Sequence, residues 1–225
     1  MQGPGAEVPS HELDAASIQR EQGAPRAEDN VPPIPKLSAP PLRLHVDRHG
    51  VLRAAAQVPS PNFDARPPDT RISLLVIHNI SLPPGQFGGP WIIELFTNRL
   101  NPKAHAYFAS LAQLRVSAHF LIRREGALAQ FVPCALRAWH AGESSWRSRP
   151  DCNDFSIGIE LEGTDDVPYE DIQYHVLARL TRALRRRYPL RDIAGHDDIA
   201  PQRKTDPGPS FDWPRYRGLI AGRRS

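Results

Sequence analysis

Three short strand-like runs, the first of them apolar and rich in β-branched residues, constrain the fold of this chain more than any other feature of its sequence. They cover residues 72–77, 116–122 and 156–161. Runs of this kind are typical of strands that are buried on both faces of a sheet. Residues 128–132 follow the second run after a Glu-Gly turn, and we expect them to return as its hairpin partner.

Segments with helical spacing alternate with these runs. Pro90 and Trp91 predict the start of one helix, because proline is well tolerated in the first turn. Apolar residues that recur every three or four positions predict a long helix over residues 169–188 and a short one over residues 213–220. The apolar face of the long helix is predicted to contain Ile172, Val176, Leu177, Leu180 and Leu184. Strands that alternate with helices indicate an α/β fold, with a mixed central β-sheet flanked by helices in a single domain.

Residues 1–41 differ in composition from the rest of the chain. Pro, Gly, Glu, Gln and Ala dominate there and aromatic residues are absent, which is typical of a disordered, polyproline-type segment. From residue 42 apolar and polar residues alternate, and residues 42–52 predict an initial hairpin. We therefore predict a Pro-rich, disordered extension over 1–41 and one folded domain over 42–225.

The composition argues against several classes of protein. A net charge of +3 is too small to indicate nucleic-acid binding without a motif, and we interpret the arginines near the C-terminal end as a solvated helix face. No apolar run approaches the ~18 residues that a membrane span needs, and the first residues lack the pattern of a signal peptide. Cys134 and Cys152 are expected to be free, packed thiols, a single disulfide being the alternative. We expect a cytoplasmic monomer without nucleic-acid or membrane partners.

Two histidines and an aspartate stand where they can bind a metal ion. His78 ends the first apolar run, and His196 follows a short β-like run in the same way. Asp206 is held by a stiff segment in which prolines flank Gly208. Two histidines, one carboxylate and an open fourth position are the signature of catalytic zinc.

Two further residues are suited to the chemistry of such a zinc site. Glu160, on the third run, is placed to take the proton of an activated water, and Lys204 to stabilise a developing oxyanion. Each has a simpler interpretation: a strand-end histidine is often a satisfied hydrogen-bonding group, Glu160 suits a buried ion pair, and Lys204 suits the surface. Spacing alone leaves these alternatives open.

A more specific pattern comes from several blocks in the order of the chain. They are SLLVIHNISLPPG at 73–85, FGGPW at 87–91, LRVSAH at 114–119, RAWHAG at 137–142, CNDFSIGIELEGTD at 152–165, and the segment 195–209. From about residue 58 to residue 220 the chain resembles the AmpD family of zinc-dependent 1,6-anhydro-N-acetylmuramyl-L-alanine amidases. The resemblance implies the mixed-sheet fold of peptidoglycan recognition domains and phage lysozyme-type amidases.

The resemblance also implies a role for each residue that matches the family pattern. His78, His196 and Asp206 fall on the Zn²⁺ ligands, Glu160 on the catalytic acid/base and Lys204 on the transition-state lysine. Asn79, Arg115 and Trp139 fall on positions that hold the muropeptide. Where the family often has an arginine for a substrate carboxylate this chain has Asp151, with Arg147 or Arg149 as candidate replacements.

The implied function is hydrolysis of the lactyl amide bond between 1,6-anhydro-N-acetylmuramic acid and L-Ala in recycled muropeptides, with an indirect effect on β-lactamase induction. Two alternatives stay open: a non-catalytic muropeptide-recognition module and an envelope amidase that acts on intact peptidoglycan. The other histidines are expected outside the metal site. His105 and His175 are predicted at the surface, and His119 and His140 in the pocket lining without metal contact.

Overall fold

The structure is a computed structural model that describes residues 44–222 with the exception of residue 112. The prediction of disorder over residues 1–41 lies outside this part of the chain, as does the start of the predicted initial hairpin. The rest of that hairpin is reduced to a single antiparallel bridge between Val46 and Leu52. Its turn is closed by the Gly50 N–H, which donates to the Asp47 carbonyl over 3.1 Å.

A six-stranded mixed sheet forms the centre of the described residues, as predicted. Its strand order is β1-β5-β4-β9-β3-β10, and β4 and β5 are the antiparallel pair in an otherwise parallel sheet. The bounds of these strands are β1 Ala56–Gln57, β3 Leu74–Ile80, β4 Phe120–Ile122, β5 Leu128–Gln130, β9 Ser156–Glu162 and β10 Asp192–Gly195. Two small ribbons pair β2 Phe63–Asp64 with β6 Arg137–Ala138, and β7 Ser145–Trp146 with β8 Arg149–Pro150.

Helices flank the sheet near the predicted positions. They are α1 Trp91–Phe96, α2 Cys152–Phe155, α3 Asp171–Arg187, α4 His196–Ile199 and α5 Trp213–Ala221, with a 3-10 helix at Ala106–Leu111. Helix α3 begins with a capping box in which Glu170 and Gln173 each bind the other's backbone N–H. None of the helices in this described part is long and apolar enough to cross a membrane.

Both faces of the central strands are buried, which explains their continuous apolar sequence. On β3, Leu75 and Ile77 belong to the larger core with α3 and α5, whereas Leu74 and Val76 belong to a smaller core with α2 and α4. Cys134 lies in the larger core, and Cys152 lies in the smaller one. Both cysteines are free and fully buried, so the prediction of packed thiols is confirmed.

Two local predictions were wrong. The strand predicted over residues 116–122 begins only at Phe120, because the Ser117 N–H leaves the sheet and donates to the Trp139 carbonyl over 3.1 Å. Ile172 was predicted on the buried face of the long helix but is 38% exposed. It lies in the first turn of α3 and packs over the turn at Gly126, where an added Cβ would come within 2.5 Å of its side chain.

Candidate active site at the carboxyl ends of three strands

The candidate catalytic residues meet at one edge of the sheet. Strands β3 and β9 are parallel neighbours, and their register sets His78 directly beside Glu160. Strand β10 pairs with the other side of β3 and ends at Gly195, so that His196 follows at the start of α4. The carboxyl ends of adjacent parallel strands thus bring together side chains that are far apart in the sequence.

His78, His196 and Asp206 turn one atom each towards a common point. The Nδ1 atoms of the two histidines are 3.0 Å apart, and each lies 3.1 Å from Asp206 Oδ2. Both histidines are buried, with 1% and 4% of their surface exposed. Within the described residues this is a group that could hold a metal ion.

The protonation states of these three side chains favour a cation between them. His196 Nε2 lies 3.1 Å from the Ala141 carbonyl, which can only accept, so the neutral ring presents a lone pair at Nδ1. Burial lowers the pKa of His78 to about 4. Burial alone would raise the pKa of Asp206, but its bonds to His196 and His78 hold that pKa below its ordinary value. Two imidazoles and a carboxylate at this spacing therefore fit a divalent metal ion such as zinc.

Glu160 is a buried carboxyl group with an unused oxygen. Only 7% of the residue is exposed, and its Oε2 atom makes no hydrogen bond within the described part of the chain. Burial, and then the negative charge of Asp206, raise the pKa of Glu160 well above its ordinary value, while Lys204 acts in the opposite direction. A buried carboxyl group with a perturbed pKa beside a metal-binding cluster is typical of a general acid/base.

The segment that carries Lys204 and Asp206 is fixed by hydrogen bonds to its backbone. The carbonyl of Pro207, next to Asp206, accepts from Tyr169 Oη over 2.7 Å and from Asn79 Nδ2 over 3.1 Å. The Lys204 N–H donates to the Ala200 carbonyl over 3.0 Å. The loop predicted after Gly195 begins instead as the short helix α4, which is capped by Asp198 through the Gly195 N–H at 2.8 Å.

These residues border a cleft of about 400 Å³ with two kinds of lining. Its polar lining is His78, Asn79, Ser81, Ser117, His140, Glu160, His196, Lys204 and Asp206. Its apolar lining includes Leu82, Pro84, Leu95, Phe96, Tyr107, Leu114, Val116 and Trp139. The buried indole N–H of Trp139 has no hydrogen-bond acceptor among the described residues. A cleft of this kind suits a ligand that combines an apolar ring face with several polar groups.

The three predicted substrate-binding residues differ in their position relative to the cleft. Trp139 and Asn79 line the cleft, but the amide nitrogen of Asn79 already donates to Asp165 Oδ1 over 2.7 Å. Arg115 is exposed beside the cleft, between the lining residues Leu114 and Val116, and its guanidinium donates to the Leu114 carbonyl over 3.1 Å. Their roles in binding substrate remain predictions.

The residues around Asp151 already have partners within the chain. Asp151 is exposed and has a positive φ of 58° immediately before α2. Arg147 pairs with Asp192 over 2.8 Å, and the Arg149 guanidinium lies 3.9 Å from the centre of the Phe155 ring. Neither arginine lines the cleft that holds the candidate ligands.

Four further histidines had predicted positions. His105 and His175 are exposed, as predicted. The prediction that His119 lines the pocket was wrong: it is buried outside the cleft lining, where its Nδ1 atom accepts from the Gly158 N–H over 3.0 Å. His140 lines the cleft and contacts the metal-facing cluster through His78, at a distance of 2.8 Å between His78 Nε2 and His140 Nδ1. The sequence placed His140 in the pocket but gave no sign of this bond.

A mixed sheet with two histidines, a carboxylate and a buried glutamate at its carboxyl edge defines a candidate metal-dependent hydrolase. The N-acetylmuramoyl-L-alanine amidase family matches residues 68–209, and the chain belongs to this family. The predicted family, fold class and amidase activity are thereby confirmed.

Individual relatives agree with this assignment. The chain is 62% identical to the 1,6-anhydro-N-acetylmuramyl-L-alanine amidase AmpD of Citrobacter freundii, over 76% of this chain and 92% of the relative. It is 60% identical to AmpD of Escherichia coli strain K12, over 76% of this chain and 95% of the relative. A crystal structure of an AmpD selenomethionine derivative superposes with a TM-score of 0.77 at 60% identity, over 79% of this chain and 99% of that one.

Proposed function

We propose that this chain hydrolyses the lactyl amide bond between 1,6-anhydro-N-acetylmuramic acid and L-Ala in muropeptides, with a zinc ion held by His78, His196 and Asp206. The observation that carries the proposal is the close approach of three metal-ligating atoms, 3.0–3.1 Å from one another, beside the unused carboxylate oxygen of Glu160. The relatives named for this substrate support the choice of bond.

The candidate metal ligands, Glu160 and Lys204 then each have a task in amide hydrolysis. A zinc ion held by His78, His196 and Asp206 would supply a Lewis acid, which polarises a carbonyl group and lowers the pKa of bound water to about 7. Glu160 accepts a proton from the attacking water, and Lys204 stabilises the negative charge that develops on the amide oxygen. When the C–N bond breaks, Glu160 returns the proton to the nitrogen of L-Ala, which leaves as an amine. The apolar lining with Trp139 is suited to the face of the anhydro sugar.

Replacement of a ligand tests the metal and the reaction together. Asp206→Ala is expected to abolish both bound zinc, measured by elemental analysis, and release of peptide from an anhydromuropeptide, measured by mass spectrometry. His175→Ala is the matched control, because this histidine is exposed on α3 and away from the cleft. Wild-type turnover by Asp206→Ala would overturn the proposal.

The same assay separates the proposed enzyme from the two alternatives. A recognition module would bind the anhydromuropeptide without releasing peptide, and an envelope amidase would cleave intact peptidoglycan at least as well as the anhydro substrate. Among the described residues Glu160 Oε2 has no hydrogen-bond partner, and a buried oxygen left unpaired in this way favours catalysis over simple recognition. The cytoplasmic location and the monomeric state remain predictions, which cell fractionation and sedimentation of the purified protein test.

A further inference from the structure

A chain of buried side chains leads away from the metal-facing cluster, and the proposed reaction does not use it. His78 Nε2 lies 2.8 Å from His140 Nδ1, and His140 Nε2 lies 3.0 Å from Ser156 Oγ. Their exposed fractions are 1% for His78, 8% for His140 and 0% for Ser156. Each of the three groups therefore lies within hydrogen-bond distance of the next, shielded from solvent.

The position of His140 is built into the surrounding backbone. Its own N–H and that of Ala141 both donate to Asn153 Oδ1, over 3.0 and 2.8 Å. Its ring packs on the backbone of β9 at Gly158, where an added Cβ would lie 2.4 Å from His140 Cγ. Only glycine leaves room for the imidazole at this distance, so the ring is fixed from two sides.

Protons in this chain of bonds can be arranged in two ways. If His78 carries its ring proton on Nε2, it donates to His140 Nδ1, and His140 donates from Nε2 to Ser156 Oγ. In the reverse arrangement Ser156 donates to His140, His140 donates to His78, and the His78 proton sits on Nδ1, 3.1 Å from Asp206 Oδ2. Each ring and the hydroxyl hold one proton in both arrangements, so the three groups neither gain nor lose one.

The two candidate histidine ligands differ in this respect. His196 Nε2 faces the Ala141 carbonyl, which only accepts, so the neutral ring has one favoured tautomer with its Nδ1 lone pair towards the cluster. His78 faces another imidazole, and that imidazole faces a hydroxyl, which both donates and accepts. The tautomer of His78 thus depends on the side chains of His140 and Ser156, whereas that of His196 is set by a backbone carbonyl.

We propose that His140 and Ser156 are positioning residues that hold the His78 proton on Nε2, so that its Nδ1 lone pair is free to bind the metal ion. This inference rests on the proposed function only in that it assumes a metal ion at the cluster. Partners of this kind usually change metal affinity by about 10- to 100-fold when they are removed.

The test measures zinc affinity and the tautomer of His78 rather than turnover. Ser156→Ala and His140→Ala are expected to weaken zinc binding about 10- to 100-fold in competition with a chelator. In the nitrogen NMR spectrum of the metal-free variants, a smaller fraction of His78 is expected to carry its proton on Nε2 than in the metal-free wild type. His140→Asn is expected to restore most of the affinity, because its Oδ1 takes the place of Nδ1 as the acceptor.

Ser60→Ala is the matched control for loss of a buried serine. Ser60 is 2% exposed, donates to the Phe96 carbonyl over 2.5 Å and lies outside the cleft. We expect this variant to lose stability without losing zinc affinity. Wild-type zinc affinity in both Ser156→Ala and His140→Ala would overturn the proposal. The amidase function can fail independently, since an inactive protein that binds zinc still reports on the tautomer.

Discussion

The buried ion pair between Arg123 and Glu162 makes a quantitative prediction about stability. The two side chains are 7% and 1% exposed, and their closest nitrogen and oxygen are 3.1 Å apart. Glu162 also accepts from the backbone N–H groups of Gly88, over 2.7 Å, and Arg124, over 3.2 Å. The carboxylate therefore joins the end of β9 to the glycine turn before α1 and to the β4–β5 turn.

Replacing Glu162 by alanine leaves the Arg123 cation buried and deprives two backbone N–H groups of their acceptor. Removal of one partner of a buried ion pair costs about 3–5 kcal/mol. In a domain of this size each kcal/mol lowers the melting temperature by about 2–4 °C, so we expect a loss of roughly 6–20 °C. Arg123→Ala should cost a similar amount, because it leaves the carboxylate buried without its cation.

Denaturant unfolding of the two single variants and the double variant measures the coupling between these residues. We expect the double variant to lose less free energy of unfolding than the sum of the single variants, by about 0.5–3 kcal/mol. The exposed pair of Arg215 and Asp171, 2.7 Å apart on the surface, is the control and should show much weaker coupling. Additive losses at Arg123 and Glu162 would refute the reasoning.

Two further predictions concern the cleft. The raised pKa of Glu160 means that the folded, metal-stripped protein keeps this proton to a higher pH than the unfolded chain, whose pKa is about 4.3. Stability should therefore fall as the pH rises between these two pKa values. Glu160→Gln should remove that loss of stability. After treatment with a chelator, the melting temperatures of wild type and variant should therefore differ more at pH 8 than at pH 4.5. An equal difference at both pH values would contradict this. Tyr169→Phe removes the 2.7 Å hydrogen bond to the Pro207 carbonyl and should lower the free energy of unfolding by about 0.5–1.5 kcal/mol. It should also weaken zinc binding, measured by competition with a chelator. Unchanged zinc affinity would show that Asn79 alone holds the segment.

Local patterns in the sequence were sufficient to predict most of the elements. The runs that form β3 and β9 are buried on both faces of the sheet. Burial on both faces favours a composition that strands with one exposed face rarely have. The short run near β4 misled because the Ser117 N–H, although it belongs to the same run as Phe120, bonds to the Trp139 carbonyl instead of the sheet. Local composition indicates whether a segment is buried, but it does not indicate which part of the backbone forms hydrogen bonds with that segment.

The candidate site was predictable only in part, for a related reason. Strand ends identified His78 and Glu160 separately, and the resemblance gave them roles, but their register as neighbours on parallel strands depends on how the sheet assembles. The bond between His78 and His140 joins residues 62 positions apart and depends on the space above Gly158. Such contacts follow from packing in three dimensions, which no local spacing encodes.

The order of the strands also bears on how readily the edges of this sheet could pair with another chain. Its longest strands, β3 and β9, lie inside the sheet, while the two edges are formed by β1, of two residues, and β10, of four. A short edge strand gives another chain few free backbone groups to pair with, and Asp192 at the start of β10 adds a charge. The segment at highest risk of amyloid-like pairing, residues 74–77, is thus exposed only when the sheet itself opens.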